Sequence, residues 1–121
     1  MREISGDKPI YKKLIGIIED DILNETYKED EIIISTTQIS KQYEVNSTTA
    51  MKTISVLKEN GIIYKKRGIG MAVTSNSRSI ILSKRKMMFM DQLLPELILE
   101  AGKLDISKKE LATLILKGEL Y

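Results

Sequence analysis

The sequence contains no cysteine and no histidine among its 121 residues. Disulfides, thiolate chemistry, imidazole acid–base catalysis and the usual zinc ligand sets are therefore excluded, and so is a disulfide-stapled secreted scaffold. An enzyme would have to rely on paired carboxylates, but the acidic runs at residues 19–21 and 29–31 fall where solvated positions are expected. We predict a protein that is not an enzyme, with no catalytic residue, no metal and no cofactor.

Long apolar runs are absent as well. No stretch approaches the roughly 20 residues that a membrane-spanning helix needs, and residues 1–4 are not followed by the apolar core of a signal peptide. We expect a soluble cytoplasmic protein that does not bind membranes. The net charge is only +2, so a nucleic-acid partner would have to bind a local cluster of basic residues from which acidic ones are kept away.

Apolar periodicity predicts a first helix over residues 9–24, with polar residues on its other side. Asp7 is the expected N-cap, and Pro9 fits the first turn, where a missing N–H group costs nothing. Further along, the run Ile32-Ile33-Ile34 is short, β-branched and bounded by polar residues, so it predicts a small strand.

A helix–turn–helix is predicted next. Ser35 and Gln38 have the spacing of a capping box at the start of a second helix, which ends near residue 43. Residues 44–46 leave room only for a turn, and a third helix, capped by Asn46 or Ser47, continues to residue 60. Gly61 stands where a left-handed C-cap glycine belongs.

Two β-type runs, residues 62–64 and 71–73, flank the segment 65–70, whose glycines permit the positive φ angles of a tight hairpin. Two short helices followed by a basic hairpin are the pattern of a winged helix-turn-helix. We predict a mainly α (α+β) fold in which residues 1–75 form this domain and the hairpin is its wing.

The polar segment 75–79 is the expected domain boundary, and residues 76–121 should form a dimerisation tail of two helices. Residues 80–102 are apolar on nearly every side, and Pro95 should kink or break this helix near Leu93 and Leu94. Ser107 and Glu110 have the spacing of a second capping box, which would begin the last helix.

A helix that is apolar all round cannot lie on a surface, and a second copy of the chain would cover it through a two-fold helical interface. We therefore predict a homodimer. The expected interface residues are Met87, Met88, Met90, Leu93, Leu94, Leu97, Ile98, Leu111, Leu114 and Ile115. The alternative is a cavity lined by the tail methionines, which would hold a small-molecule effector of unknown identity.

The predicted partner of the helix–turn–helix is double-stranded DNA, whose major groove admits one α-helix. The third helix presents short hydroxyls and a lysine, and the wing presents cations beside glycines, so that an arginine can enter a minor groove. The residues expected at the DNA are Lys41, Ser47, Thr48, Thr49, Lys52, Thr53, Lys65, Lys66, Arg67, Gly68 and Gly70. This hypothesis requires the third helix and the wing to face the same side. A winged-helix module that binds a protein instead is the alternative.

Several segments resemble the GntR family of bacterial transcription regulators, in particular its short YtrA-type branch. Residues 39–46 (ISKQYEVN) resemble L-A-x-x-L-G-V-N, and residues 49–63 (TAMKTISVLKENGII) resemble T-V-x-[RK]-A-x-x-x-L-x-x-x-G-L-I. Residues 67–73 (RGIGMAV) resemble the wing motif R-G-x-G-T-F-V, and residues 9–11 and 104–111 are similar to the start and the tail of the branch. The resemblance adds Ser35, Thr37 and Ile69 to the expected DNA contacts.

The chain departs from the family pattern where DNA contacts are expected. The family's P-S-x-R is ISTT at residues 34–37, so Thr37 replaces the arginine that normally meets DNA. Thr48 stands where asparagine or arginine is frequent, and Ala72 replaces the wing phenylalanine, so the operator sequence cannot be borrowed from relatives. The resemblance implies a homodimer that acts on an operator with two-fold symmetry. Members of this branch commonly repress genes for ABC-type transporters and lack the large ligand-binding domain of longer relatives.

Overall fold

The computed structural model describes residues 8–118 and divides into two compact units, Met1–Leu82 and Ser83–Tyr121. The elements in chain order are α1 (Ile10–Leu23), α2 (Thr36–Gln42), α3 (Ser47–Glu59), β1 (Ile63–Lys66), β2 (Gly70–Val73), α4 (Ser77–Met88), a π-helical turn (Phe89–Leu93), α5 (Leu94–Lys103) and α6 (Lys108–Lys117). The predicted fold class, mainly helical with a small antiparallel sheet, is confirmed. The boundary between the units falls inside α4, which begins within the polar segment 75–79.

Helices α1, α2 and α3 form the helical part of the first unit, and α1 and α2 both pack on α3. Their inward positions follow helical spacing, so that α1 buries Leu14, Ile18 and Ile22. Helix α3 contributes Ala50 and Leu57, neither of which has any exposed surface. Burying a large apolar side chain contributes about 1.5–3 kcal/mol, and these positions therefore fix which face of each helix is left to the solvent.

Helix α1 begins at Ile10, and Pro9 is its N-cap residue rather than part of its first turn. Pro9 is extended, with φ −55° and ψ 148°, and its carbonyl accepts the N–H groups of Lys12 and Lys13 at 3.0 and 3.3 Å. The predicted position of Pro9 inside the helix is therefore wrong. Asp7, the predicted N-cap, lies outside the described residues.

Side-chain caps fix the N-terminal ends of α2 and α3, as the sequence predicts. The N–H of Ser35 donates to Oε1 of Gln38 at 2.8 Å, and the N–H of Gln38 donates to Oγ of Ser35 at 3.2 Å, which completes the capping box. Asn46 caps α3 by accepting a bond of 2.8 Å from the N–H of Thr49. Gly61 has φ +75°, which confirms the left-handed residue after α3.

Strands β1 and β2 pair antiparallel in a register that sets Lys66 opposite Gly70. The loop between them, residues 67–69, is closed by the N–H of Ile69, which donates to the carbonyl of Lys66 at 3.0 Å. Gly68 has φ +77°, a region that glycine enters without the steric cost of a side chain. The predicted hairpin is therefore confirmed.

The predicted strand at Ile32-Ile33-Ile34 is wrong in extent. Within this run, Ile32 forms an isolated β-bridge with Ala72. The N–H of Ile33 donates to the carbonyl of Met71 at 2.9 Å, and the N–H of Val73 donates to the carbonyl of Glu31 at 3.0 Å. The N–H of Ile34 points away from β2 and donates to the hydroxyl of Tyr27 at 3.2 Å. Ser35, the next residue, already belongs to the capping box of α2, so the run lies beside β2 as a short bridge rather than as a third strand.

Between α4 and α5 the backbone takes a π-helical turn, in which the N–H of Leu94 donates to the carbonyl of Phe89. Pro95 follows in the first turn of α5. Because its ring has no N–H and would clash with the carbonyl four residues earlier, regular α-helical bonding cannot pass through this point. The predicted interruption at Leu93 and Leu94 is confirmed, in the form of a widened turn.

In the second unit α5 and α6 pack together. The N–H of Glu110 donates to Oγ of Ser107 at 3.1 Å, and the N–H of Ser107 donates to Oε1 of Glu110 at 3.3 Å. The second predicted capping box is thus present at the start of α6. Among the helices that the structure describes between residues 8 and 118, none is both long and apolar enough to cross a lipid bilayer.

Candidate nucleic-acid interface

The first turn of α3 faces solvent. Ser47 and Thr48 are exposed, and Thr49 is half-buried. The Asn46 side chain occupies the N–H of Thr49. Because the first N–H groups of a helix have no partner within it, Ser47 and Thr48 offer backbone donors and the positive end of the helix dipole in addition to their hydroxyls. Such a helix start can receive a phosphate or an acceptor on a base edge.

Thr53 does not belong to this exposed face, and its prediction as a DNA contact is wrong. Its side chain has no exposed surface, and its hydroxyl donates to the carbonyl of Thr49 at 2.9 Å. This bond satisfies the polar group, so that the methyl group can lie in the core on the same side of α3 as Ala50 and Leu57.

Lys52 is exposed, and its ammonium lies 4.5 Å from the centroid of the Tyr11 ring on α1. A cation at this distance is attracted by the ring quadrupole, by about 0.5–1 kcal/mol at an exposed site. The contact orients the side chain across the junction of α1 and α3 and leaves its charge uncompensated. Lys52 can therefore still contact a phosphate at the edge of a groove.

Met51 and Ser55 complete the outward face of α3 and are missing from the predicted site. Met51 is 60% exposed, and Ser55 is exposed as well. Both follow Ser47 at intervals of four residues, the spacing that repeats one face of a helix. That spacing could have placed both residues on the exposed face, but an apolar residue such as Met51 in a helical pattern is normally assigned to the core.

The tip of the wing is also open to solvent. Lys65, Arg67, Gly68 and Ile69 are exposed, and Gly70 is half-buried. Since the loop is short and carries a glycine in the left-handed region, the backbone at its tip can approach a partner closely. The two lysines of β1 point to opposite faces of the hairpin, because successive strand residues alternate.

Lys66, unlike Lys65, is bound within the chain. Its Nζ lies 3.0 Å from Oδ2 of Asp30, and the hydroxyl of Tyr64 donates to the other oxygen of the same carboxylate. The bonds from Tyr64 and Lys66 hold the pKa of Asp30 below its usual value. The bond to Asp30 raises the pKa of Tyr64 and that of Lys66. The charge of Lys66 is therefore compensated by the connector that precedes α2.

Three further predicted contacts lie on or next to α2. Ser35 and Thr37 are exposed at its start, and Lys41 is exposed in its last turn. The Ser35 oxygen serves as a cap, and its hydroxyl hydrogen can still be donated to a phosphate. Lys41 borders an open groove of about 690 Å³, which Tyr27 and Gln38 also line.

Acidic residues are rare in the segments that carry these side chains. From residue 32 to residue 90 the chain has two acidic residues, Glu44 and Glu59, against ten basic ones. Seven of the 17 acidic residues lie instead between residues 19 and 31. The low net charge thus conceals a strong local excess of positive charge, which would attract a polyanion to this part of the chain. Within residues 8–118, no group of three or more acidic, histidine or cysteine side chains could hold a metal ion.

The predicted dimer interface contains mainly exposed apolar side chains. Those that are exposed are Met87, Met88, Met90, Leu93, Leu97, Leu114 and Ile115, and those that are half-buried are Leu94, Ile98 and Leu111. Exposed apolar residues outside the predicted set are Phe89, Leu99, Leu104 and Leu116. Of the described apolar residues after Leu82, Ala101 is the one that is buried. The second unit therefore shows far more apolar surface than it covers.

The fold and the interface define a winged helix-turn-helix protein, in which a helix with an open N-terminus precedes a hairpin with a basic tip. Comparison with solved structures supports this class of protein. The chain is 32% identical to a GntR-family transcriptional regulator from Listeria monocytogenes, over 93% of this chain and 97% of that one, with a TM-score of 0.72. It is 33% identical to a GntR-family regulator from Bacteroides thetaiotaomicron, over 90% and 95% of the two chains, with a TM-score of 0.73. The chain belongs to the GntR family of transcriptional regulators.

A further solved structure contains DNA. BusR of S. agalactiae in complex with its busA-promotor DNA is 26% identical over 88% of this chain and 55% of that one, with a TM-score of 0.56. No family sequence model matches the chain, and no curated protein matches it in sequence. The relatives are transcription regulators, a family without enzymatic activity, which confirms the prediction that the chain is not an enzyme.

Proposed function

We propose that this regulator is a homodimer that binds double-stranded DNA in a sequence-specific manner and represses transcription from an operator with two-fold symmetry. In this proposal residues 1–75 bind the DNA and residues 76–121 pair two copies. The site of action is the cytoplasm. The resemblance to the YtrA-type branch extends the proposal to genes for ABC-type transporters.

The main observation that supports DNA binding is the outward face of α3. Ser47, Thr48 and Lys52 are exposed on it, and the first turn contains no acidic residue. A helix start of this kind combines hydrogen-bond donors with a favourable dipole for phosphate and for base acceptors. The DNA complex of BusR supports the same use of a related fold.

The wing supplies a second point of contact. Lys65 and Arg67 are exposed beside Gly68, so that the hairpin can lie against the backbone while Arg67 enters an adjacent minor groove. A narrow, A·T-rich minor groove attracts an arginine through its negative potential. Contacts by α3 in the major groove and by the wing beside it would fix the orientation of the domain on the duplex.

The apolar surface of the second unit supports pairing of two copies. Complete burial of a large apolar side chain contributes about 1.5–3 kcal/mol, whereas association costs about 4–15 kcal/mol in lost freedom of motion. Burial of several exposed residues from each copy, such as Met87, Met90 and Leu97, would therefore offset that cost. A two-fold dimer would read half-sites about 10 bp apart or at a multiple of that spacing.

The experiment that tests this function is a selection of duplexes bound by the full chain from a random-sequence pool. We expect enrichment of a sequence with two-fold symmetry. Anisotropy titrations of that duplex should show an affinity that falls by several decades per decade of salt, because many phosphate contacts release counterions. A scrambled duplex of the same composition serves as the control for specificity.

Each outcome bears on one part of the proposal. Failure to enrich any sequence at low salt would overturn DNA binding and would favour a module that binds another protein. Enrichment of a site without symmetry, bound by a single copy, would overturn the homodimer. In a reporter assay with the selected site placed at a promoter, we expect the protein to lower expression, and a rise in expression would overturn the role as a repressor.

A further inference from the structure

Met51 stands at the centre of the outward face of α3. It is 60% exposed, and Ser47 and Ser55, one turn before and one turn after it, are short and exposed. Ala50 and Thr53 are turned into the core, without exposed surface. A long apolar side chain therefore projects beyond its hydroxyl-bearing neighbours, on the face that the proposed function puts into the major groove.

The chemistry of this side chain restricts what it can recognise there. A thioether is at most a weak acceptor and cannot read the donor and acceptor pattern of base edges. The major groove has one apolar feature, the C5-methyl group of thymine. Arg, Lys, Asn and Gln are the side chains that read guanine or adenine through paired hydrogen bonds, and Lys52 is the one of these within residues 47–55.

We propose that Met51 recognises a thymine in each half-site by packing against its C5-methyl group. The inference rests on the proposed function, because it needs α3 in a major groove, and it deepens that function by naming the base. The polarizable, unbranched side chain of methionine suits such a contact, since it adapts to an irregular apolar surface. Lys52, the next residue, is held toward α1 by the ring of Tyr11 at 4.5 Å.

The test replaces each thymine of the selected duplex by deoxyuridine, one at a time and on both strands. This change removes the methyl group and keeps the base pairing. At the recognised thymine the wild-type protein should bind about fourfold more weakly, the effect of losing one buried methyl-sized group. Met51→Ala and Met51→Gln should bind the thymine and deoxyuridine duplexes equally, whereas Met51→Leu, which keeps an apolar side chain, should retain the discrimination.

Ser55→Ala is the matched control, because it shortens a neighbour on the same face and should leave the deoxyuridine effect unchanged. If the wild type binds the duplex but no deoxyuridine position distinguishes it from Met51→Ala, the role of Met51 is overturned and DNA binding stands. If the wild type binds no duplex from the selection, both proposals fall. Thermal melting of each variant checks that the exposed substitutions leave the fold intact.

Discussion

The ammonium of Lys66 lies 3.0 Å from Oδ2 of Asp30, so that a cation of the wing is neutralised by the connector that precedes α2. Lys65, the preceding residue, is exposed. Two adjacent lysines of β1 therefore have opposite environments, because successive strand residues point to opposite faces. The sequence predicts both lysines as DNA contacts. Their surroundings differ, because of the two only Lys66 has its charge compensated within the part of the chain that the structure describes.

The salt dependence of DNA binding should separate these two lysines. The logarithm of the DNA-binding constant falls linearly with the logarithm of the salt concentration, and each phosphate neutralised by a free cation adds about 0.9 to the steepness of that fall. We expect Lys65→Gln to lower that slope by about 0.9 per subunit and Lys66→Gln to leave it nearly unchanged. Anisotropy titrations on the selected duplex at several salt concentrations measure both. An equal loss of slope in the two variants would mean that the pair with Asp30 opens on DNA.

The same cluster should give the stability of the first unit a pH dependence. The pKa of Asp30 is lowered in the folded chain, so its contribution is present above the unfolded value of about 3.9 and is lost as the pH falls through the folded value. The pKa values of Tyr64 and Lys66 are raised. Their contributions are therefore present below about pH 10 and are lost as the pH rises through the folded values.

Asp30→Asn is the variant that checks this dependence. Its thermal midpoint should lie below that of the wild type at neutral pH. The gap should narrow as the pH falls below about 4, because Asp30 then binds a proton in the unfolded chain before it does so in the folded one. Calorimetric scans of both proteins from pH 3 to pH 9 supply the comparison. A gap of constant size across the acid range would show that the charge of Asp30 does not contribute.

Features that depend on neighbouring residues could be predicted from the sequence. The capping boxes at Ser35 and Ser107 need only a partner three residues later, and both are present. The interruption before Pro95 follows from the chemistry of one ring. The hairpin follows from glycines that allow positive φ, and Gly68 has φ +77°.

Features that depend on distant residues could not be predicted in this way. The ion pair of Lys66 joins residues 36 positions apart, and no local pattern indicates it. Thr53 is buried, and not exposed as predicted, because polarity alone does not fix a helix face, and a threonine that bonds back to the helix can be buried. In the run Ile32-Ile33-Ile34, the extent of pairing depends on Ala72, which lies far along the chain, and a propensity for strands cannot show it.

The corrected role of Thr53 is tested against Thr48, which is exposed on the same helix. Thr53→Ala removes a buried methyl group and should lower the free energy of unfolding by about 1–2 kcal/mol, without changing the affinity of the folded protein for DNA. Thr48→Ala should leave stability within about 0.5 kcal/mol and weaken DNA binding by about fivefold per subunit, the loss of one hydrogen bond in each. Denaturant titration and anisotropy measure the two effects. A fall in affinity for Thr53→Ala without a fall in stability would restore it to the interface.

Arg67 at the tip of the wing should act on DNA alone. Arg67→Ala removes an exposed side chain and should weaken binding by about tenfold per subunit while leaving the thermal midpoint unchanged. Arg78→Ala is the control, because Nη1 of Arg78 donates to the carbonyl of Leu23 at 2.7 Å. Its loss should lower stability by about 1 kcal/mol without changing affinity below the melting temperature. Unchanged binding by Arg67→Ala would show that the hairpin does not touch the duplex.

The interface between copies is tested by two leucines of the second unit. Leu97 on α5 belongs to the predicted interface, whereas Leu116 on α6, 86% exposed, does not. In a two-fold dimer each substitution acts twice, so Leu97→Glu should weaken association by about a hundredfold or more, while Leu116→Glu should leave it unchanged. Sedimentation equilibrium should give the wild type twice the chain mass of 13.7 kDa and Leu97→Glu the mass of one chain. If both variants stay dimeric, Leu97 lies outside the interface, and if the wild type is a monomer at micromolar concentration, the symmetric operator has no physical basis.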